Sequence, residues 1–495
     1  MESVPTTGKL APALLALAFG VSRAVYYALG VRTDMAPVGA YLQYIDPALL
    51  REHLWQSLWY LREQPPGFNL FLGLALKAGA HADAVIFGAQ LLMGLTLAMT
   101  VMTLAVRLGA ERWLAFALAA LFTVSPITVT YEDWVFYEYP VMVALAVAAW
   151  ALERWVRGER FRYGLIFFGS LAAVTGIRGM YHLAWFVAPG AAAVWVTRRR
   201  WRVGAAAAAV PALLVVGLYA KNFVMFGDLV CGGVYQKINY AQIVQQQAPD
   251  ELLERLRREG QIGGILKVDP MEYTDSFGTY VKPPPATGAM LRDAWRKSTD
   301  EDNWNSAWRA KIADAYYRDA KVVAREDSGL FRRQMRDNMR AYFLPASDVF
   351  PFDMKDDSSP LRPFLTWYER ISGGELAVDP DNDTRTTMAW AGVVVFPVCL
   401  AGGVVLAIRW WRRSSGRDEL ARCAAMVFVL FNIGYNAAVT ILFSSGDHNR
   451  YREEVAPLYV VLLAVVMNAA WERARARREA RRGEPVENMA EAARA

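Results

Sequence analysis

The chain has 495 residues, 55% of them hydrophobic and 13% aromatic, with 17 Trp and a net charge of +6. Apolar content gathered into several long charge-free runs excludes an ordinary soluble domain and gives a polytopic membrane protein. The positive charge sits in short clusters between those runs, with no nucleic-acid module. Three Cys build no disulfide framework, and four scattered His show no zinc spacing.

Apolar runs fall at 10–31, 66–80, 83–106, 113–130, 138–153, 162–177, 181–197, 203–223, 387–408, 422–443 and 455–472. The first has only Lys9 ahead of it and is interrupted by Arg23, which favours a retained span over a cleaved signal peptide. Beyond it, "RTDMAPVGAYLQYIDP" carries Asp34, either a reactive carboxylate or a solvated helix end, and Asp46, which precedes Pro47 as an N-cap precedes N1. "PALLREHLWQSLWYLREQ" then spaces Leu50, Leu54, Leu58 and Leu61 by three or four residues. That spacing predicts an amphipathic helix on the membrane surface, with Trp55, Trp59 and Tyr60 at headgroup level. The 66–80 run opens with Pro65-Pro66 and contains Lys77. As a helix it reaches only ~22 Å against a ~30 Å hydrocarbon core, so it is expected as a half-helix in the outer leaflet.

Charge selects the topology. With the N-terminus inside and 66–80 not crossing, the inward segments hold Arg107/Arg112, then Arg154/Arg157/Arg160/Arg162, Arg198/Arg199/Arg200/Arg202, Arg409/Arg412/Arg413/Arg417/Arg422 and the tail "RARARREARR". If 66–80 crosses, every cluster between it and the large polar segment moves outside. The expectation is therefore an all-α protein of about ten spans with both ends cytoplasmic. It has a seven-span module over 1–223, an extracytoplasmic cap over 224–386, a three-span module over 387–473 and a basic tail over 474–495. The cap reads as mostly helical, at "APDELLERLRREG", at "NWNSAWRAKIADAYYRDAKVVARE" with Asp302 as N-cap, and at "LFRRQMRDNMRAYFL".

The outward segments collect the polar chemistry. "YEDWVFYEYP" sets Glu132, Asp133, Tyr137 and Glu138 among aromatics, either as a sugar- or metal-contacting face or as an aromatic belt with solvated acids. Arg178 in "TGIRGMYH" lies between two short spans, where a buried Arg is costly unless an anion pairs with it. Lys221 can join the same cationic pocket or snorkel. "GDHNRYREEVAP" holds His448, Arg450 and Arg452; a phosphate suits the Arg fork, against the simpler pairing with Glu453 or Glu454. No cofactor is indicated; Asp353, Asp356 and Asp357 leave a divalent metal open against a solvated acidic loop.

In order and spacing, "QPPGFNLFLGLALK", "TVSPITVTYEDWVFYEYP", "LAAVTGIRGMYHLAWF" and "NRYREEVAPLYVVLLAV", with the acid after the first span, resemble the GT-C fold glycosyltransferases. The likeness is greatest to the branch of protein O-mannosyltransferases and the lipid A aminoarabinose transferase, and covers most of the first 230 residues and the end of the chain. It implies a sugar moved from a polyprenyl phosphate donor to a glycan, lipid or protein acceptor outside the membrane. The acid of the first outer loop, Asp34, is then the base of an inverting displacement. Met35 follows where the family often has a second acid, and Gln64 stands at the usual His position. Arg outnumbers Lys 44 to 10, which points to a GC-rich bacterium and its inner membrane, with the site on the periplasmic face. The alternatives are a transporter or flippase of lipid-linked sugar, which calls for polar groups at mid-bilayer, and a non-catalytic scaffold.

Overall fold

The computed structural model describes residues 7–158, 160–197, 201–343, 360, 363–364, 367, 390–414, 416–446 and 448–482. The acidic Asp353–Asp357 stretch and residues 483–495 of the expected tail lie outside them. The structure is 77% helical, with no strand among the described residues.

In chain order the N-terminal part holds α1 (Thr7–Ala28), α2 (Ala36–Ala40), α3 (Pro47–Glu52), α4 (Leu54–Tyr60), α5 (Pro66–Leu76) and α6 (Ala82–Arg107). It continues with α7 (Arg112–Val124), α8 (Pro126–Asp133), α9 (Glu138–Gly158), α10 (Phe161–Ile177), α11 (Leu183–Val196) and α12 (Trp201–Phe226). A polar insertion follows with α13 (Gly233–Gln247), α14 (Asp250–Arg258), α15 (Met290–Asp293), α16 (Ala307–Glu326) and α17 (Leu330–Tyr342). The chain returns through α18 (Trp390–Arg412), α19 (Arg417–Phe443), α20 (His448–Glu453) and α21 (Ala456–Arg482). Among the described residues seven helices, α1, α6, α9, α12, α18, α19 and α21, are long and apolar enough to cross a membrane. The pair α7–α8 adds an eighth if its 54° bend is one broken span. The chain is an all-α polytopic membrane protein.

The 113–130 run is broken where the sequence reads Ser125-Pro126. A proline cannot donate to the preceding turn and pushes its predecessor out of the helical region, so Ser125 sits extended at ψ 134° and α8 restarts at Pro126. Helix α9 is the hub. Its apolar window is 72% buried, against at most 44% for the other six long helices, and it packs on α6, α10 and α19. Its buried face is rich in Ala, and Trp155 fits against Gly164 and Gly204; an ideal Cβ on either would stand 3.1 or 3.3 Å from the indole. Small residues of this kind let helix backbones approach in lipid. At the far end of α9, fully buried Glu153 pairs with both Arg107 and Arg157, and Arg157 also reaches Asp418 at 2.6 Å.

The surface stretch after α1 is two helices rather than one. Asp46 caps α3 by accepting from the Ala48 N–H at 2.9 Å with Pro47 at N1, and the helix breaks at His53 before α4 begins. Leu50, Leu54, Leu58 and Leu61 face inward while Trp55 and Trp59 are exposed. The polar insertion has its own apolar core, with Ile238, Val244, Leu256, Trp304, Ile312 and Tyr316 among its members. Its longest helix, α16, starts at Ser306, whose hydroxyl accepts from Arg309 N at 3.1 Å. Asp302 does not cap it; that carboxylate accepts from the N–H and hydroxyl of Thr274. Sequence periodicity missed α13, which packs along α16 and starts from Gly232 in the left-handed region, φ 87°.

Candidate functional site

Four charged side chains meet at the end of the bundle where α9 begins. Arg178 leaves the C-terminus of α10, Glu138 opens α9, Arg450 lies in α20, and Glu454 links α20 to α21. Arg178 Nε stands 3.0 Å from Glu454 Oε1, Arg450 Nε 3.3 Å from Glu138 Oε1, and Arg178 Nη2 4.0 Å from the same Glu138 oxygen. Both carboxylates are fully buried, and neither arginine side chain is more than 11% exposed. Helix α5 fixes this turn from behind. Gly67 is so close to the end of α10 that a Cβ would fall 2.6 Å from the Gly176 carbonyl oxygen.

Aromatic rings wall the cluster. Arg178 lies 4.3 Å over Tyr137 and 4.7 Å over Tyr451; Arg450 lies 5.3 Å from the Phe136 ring centre. Tyr41, from the segment after α1, shares a 3.0 Å hydrogen bond with the Tyr137 hydroxyl, and Tyr235 of α13 reaches the Tyr451 hydroxyl at 3.4 Å. Burial pushes the Tyr41 phenol up to about 12, with Arg450 pulling the other way, so it remains a neutral donor. Burial likewise raises Glu454 while Arg178 opposes it. Among the described residues two guanidinium groups meet two carboxylates in this cluster.

Asp34 lies beside this cluster rather than in it. Its N–H donates to Asp133 O at 2.7 Å and its carbonyl accepts from Val135 N at 3.1 Å, a short parallel bridge to the 133–135 segment. The carboxylate is exposed and accepts from Ala36 N at 2.9 Å. Trp134 then stacks on Phe136 at 4.0 Å, and Phe136 faces Arg450. Asp34 and Asp133 are thus backbone neighbours, one ring pair from the ion cluster.

Of the residues singled out from the sequence, Tyr137, Glu138, Arg178 and Arg450 come together, and Asp34 comes together with Asp133. Glu132 faces the bundle, where Arg23 of α1 grips it with two bonds of 2.9 and 2.5 Å and Tyr139 donates at 2.6 Å. Arg452 donates to Tyr342 O at 2.8 Å and pairs with Glu453 at 3.4 Å; His448 is buried nearby in α20. Lys221 donates to Leu61 O at 2.7 Å, and Gln64 donates to Gln43 at 2.8 Å in a buried amide chain with Asn69. Tyr41, Tyr451 and Arg23 were not singled out as site residues; the lone charge of Arg23 inside the first apolar run is the signal for its buried partner. The carboxylates do not gather as a metal set, since no three His, Cys, Asp or Glu groups converge among the described residues.

Compared with known proteins, the chain matches no family model, no curated protein and no solved structure.

Proposed function

We propose that the chain is a membrane glycosyltransferase that moves a sugar from a polyprenyl phosphate donor to an acceptor outside the membrane, with Asp34 as base. The observation that carries this reading is an exposed carboxylate locked by backbone bonds to an acid- and aromatic-rich segment, directly beside a buried arginine cluster. The acceptor hydroxyl oxygen attacks the anomeric carbon as Asp34 takes its proton. The bond from that carbon to the phosphate oxygen breaks on the opposite face, and polyprenyl phosphate leaves with the electron pair. Asp133 supplies a polar edge for the sugar, and the buried Trp134–Phe136 stack fixes that segment against Arg450. Arg178 and Arg450, each set against a buried carboxylate, hold this end of the bundle in shape. Arg32, exposed over the Tyr27 ring at 3.6 Å, adds a cation beside Asp34.

Ten spans follow if the bent α7–α8 pair crosses once and α10 and α11 each cross as short helices of ~26 and ~21 Å. Helix α5, at ~16 Å, does not cross. This count puts Asp34, the arginine cluster and the polar insertion outside, with the insertion as a cap. The test is proteoliposomes loaded with polyprenyl-phosphate sugars and assayed for both cleavage and leaflet exchange. Release of polyprenyl phosphate with a glycosylated acceptor is expected. Leaflet exchange without bond cleavage would sink the transferase reading and favour a flippase.

A further inference from the structure

At the opposite end of the bundle a cavity of about 210 Å³ opens between the α6–α7 turn, the facing ends of α18 and α19, and the middle of α21. Three arginines line it, Arg409 and Arg413 from the C-terminal turns of α18 and Arg422 from α19, with Glu419 and Glu472 on the same rim. Leu406, Trp410 and Val465 form its apolar floor.

Arg409 and Arg422 are not consumed by those acids. Glu472 accepts from the Asn468 amide at 3.0 Å, and neither Arg409 nor Arg422 makes a side-chain ion pair among the described residues. The Arg422 Nε is buried and has no hydrogen-bond partner. A buried guanidinium nitrogen of this kind costs free energy unless an anion accepts from it, and a planar fork matches phosphate oxygens two at a time. The pocket lies at a membrane boundary. Ala456 and Glu472 are on one helix ~24 Å apart, so the arginine cluster at the start of α21 and this cavity are separated by about the depth of a bilayer core.

We infer that this cavity binds a phosphate group, with Arg409, Arg413 and Arg422 as the donors and the apolar floor taking the chain of a lipid that carries it. The shared chemistry is a phosphate mono- or diester, supplied by an anionic phospholipid headgroup or by a soluble phosphate. It is independent of the transfer reaction at the other end.

Purified full-length protein is reconstituted in nanodiscs of phosphatidylcholine with or without phosphatidylglycerol, and retained lipid is counted by native mass spectrometry after release. Wild type is expected to retain phosphatidylglycerol over phosphatidylcholine. Arg409→Gln/Arg422→Gln is expected to lose that preference by about tenfold, the scale of a lost charge-assisted fork. Arg409→Lys/Arg422→Lys keeps the charge and reports folding; it retains part of the preference. Arg473→Gln/Arg477→Gln on the exposed end of α21 leaves it intact. In a second arm, inorganic phosphate is titrated into detergent-solubilised protein while thermal stability is read. Stabilisation of wild type but not the Gln pair, without lipid retention, assigns the site to soluble phosphate. Equal lipid retention and equal phosphate response in wild type and the folded Gln pair overturn the inference.

Discussion

Glu138→Gln removes the carboxylate that Arg450 and Arg178 share and leaves the volume almost unchanged. Removing one partner of a buried ion pair costs about 3–5 kcal/mol, because the other charge stays desolvated. Arg178 keeps Glu454 at 3.0 Å, so most of the loss falls on the 3.3 Å contact to Arg450. The Gln amide oxygen still accepts one bond, which puts the expected loss at the lower end, about 3 kcal/mol. The assay is denaturant unfolding of the purified protein in mild detergent, followed by tryptophan fluorescence, as a double-mutant cycle with Arg450→Met. Because the second change removes the guanidinium Glu138 was balancing, the double variant is expected to be more stable than the sum of the singles by about 2 kcal/mol. A Glu138→Gln protein within about 0.5 kcal/mol of wild type, or strict additivity, would refute the claim that these groups form one buried electrostatic unit.

Glu63 gives a pH signature for the seam between the α1–α6 connection and the polar insertion. Burial raises its carboxyl to about 7, against Arg62 and the N–H groups of Tyr235 and Val234. The folded state therefore holds this proton longer than the unfolded one. Its stability contribution is full below the ordinary value of 4.5 and is lost as pH rises through about 7, a change of about 3 kcal/mol. Glu63→Gln should flatten stability between pH 5 and 8, and an unchanged slope in that variant would count against it. Gly67→Ala drives a methyl into the Gly176 carbonyl and should cost about 1–3 kcal/mol, whereas Gly88→Ala, with nothing within 4 Å, should be neutral in the same unfolding assay. Asp46 both caps α3 and accepts from the Ser298 N–H and hydroxyl, each at 2.6 Å. Asp46→Ala should cost about 1–2 kcal/mol and increase proteolysis around residues 296–300; resistance equal to wild type would contradict that tie.

The membrane class was legible because hydrophobic runs and arginine clusters are properties of local sequence. The Asp46-Pro47 helix start was legible for the same reason, since a cap needs only its own turn. What stayed hidden depended on partners far along the chain. Arg23 reads as a flaw in an apolar helix until Glu132, 109 residues away, is placed against it. Glu454 reads as a local partner for Arg450 or Arg452, yet it pairs with Arg178 across the bundle. The bend at Ser125-Pro126 was written in the proline but masked by the apolar residues on either side. Helix α13 was missed because much of it packs against α16 and α17, so it shows no simple polar face.

The central claim is tested most directly by Asp34→Asn, which keeps the backbone bridge to residues 133–135 and the side chain's acceptor for Ala36 N but removes the base. Single-turnover release of polyprenyl phosphate from a lipid-linked sugar is measured in proteoliposomes of wild type and variant with matched thermal unfolding. The account predicts loss of about 10²-fold or more in the variant, the scale of general-base catalysis, with the protein folded and inserted. Wild-type release by Asp34→Asn would contradict it.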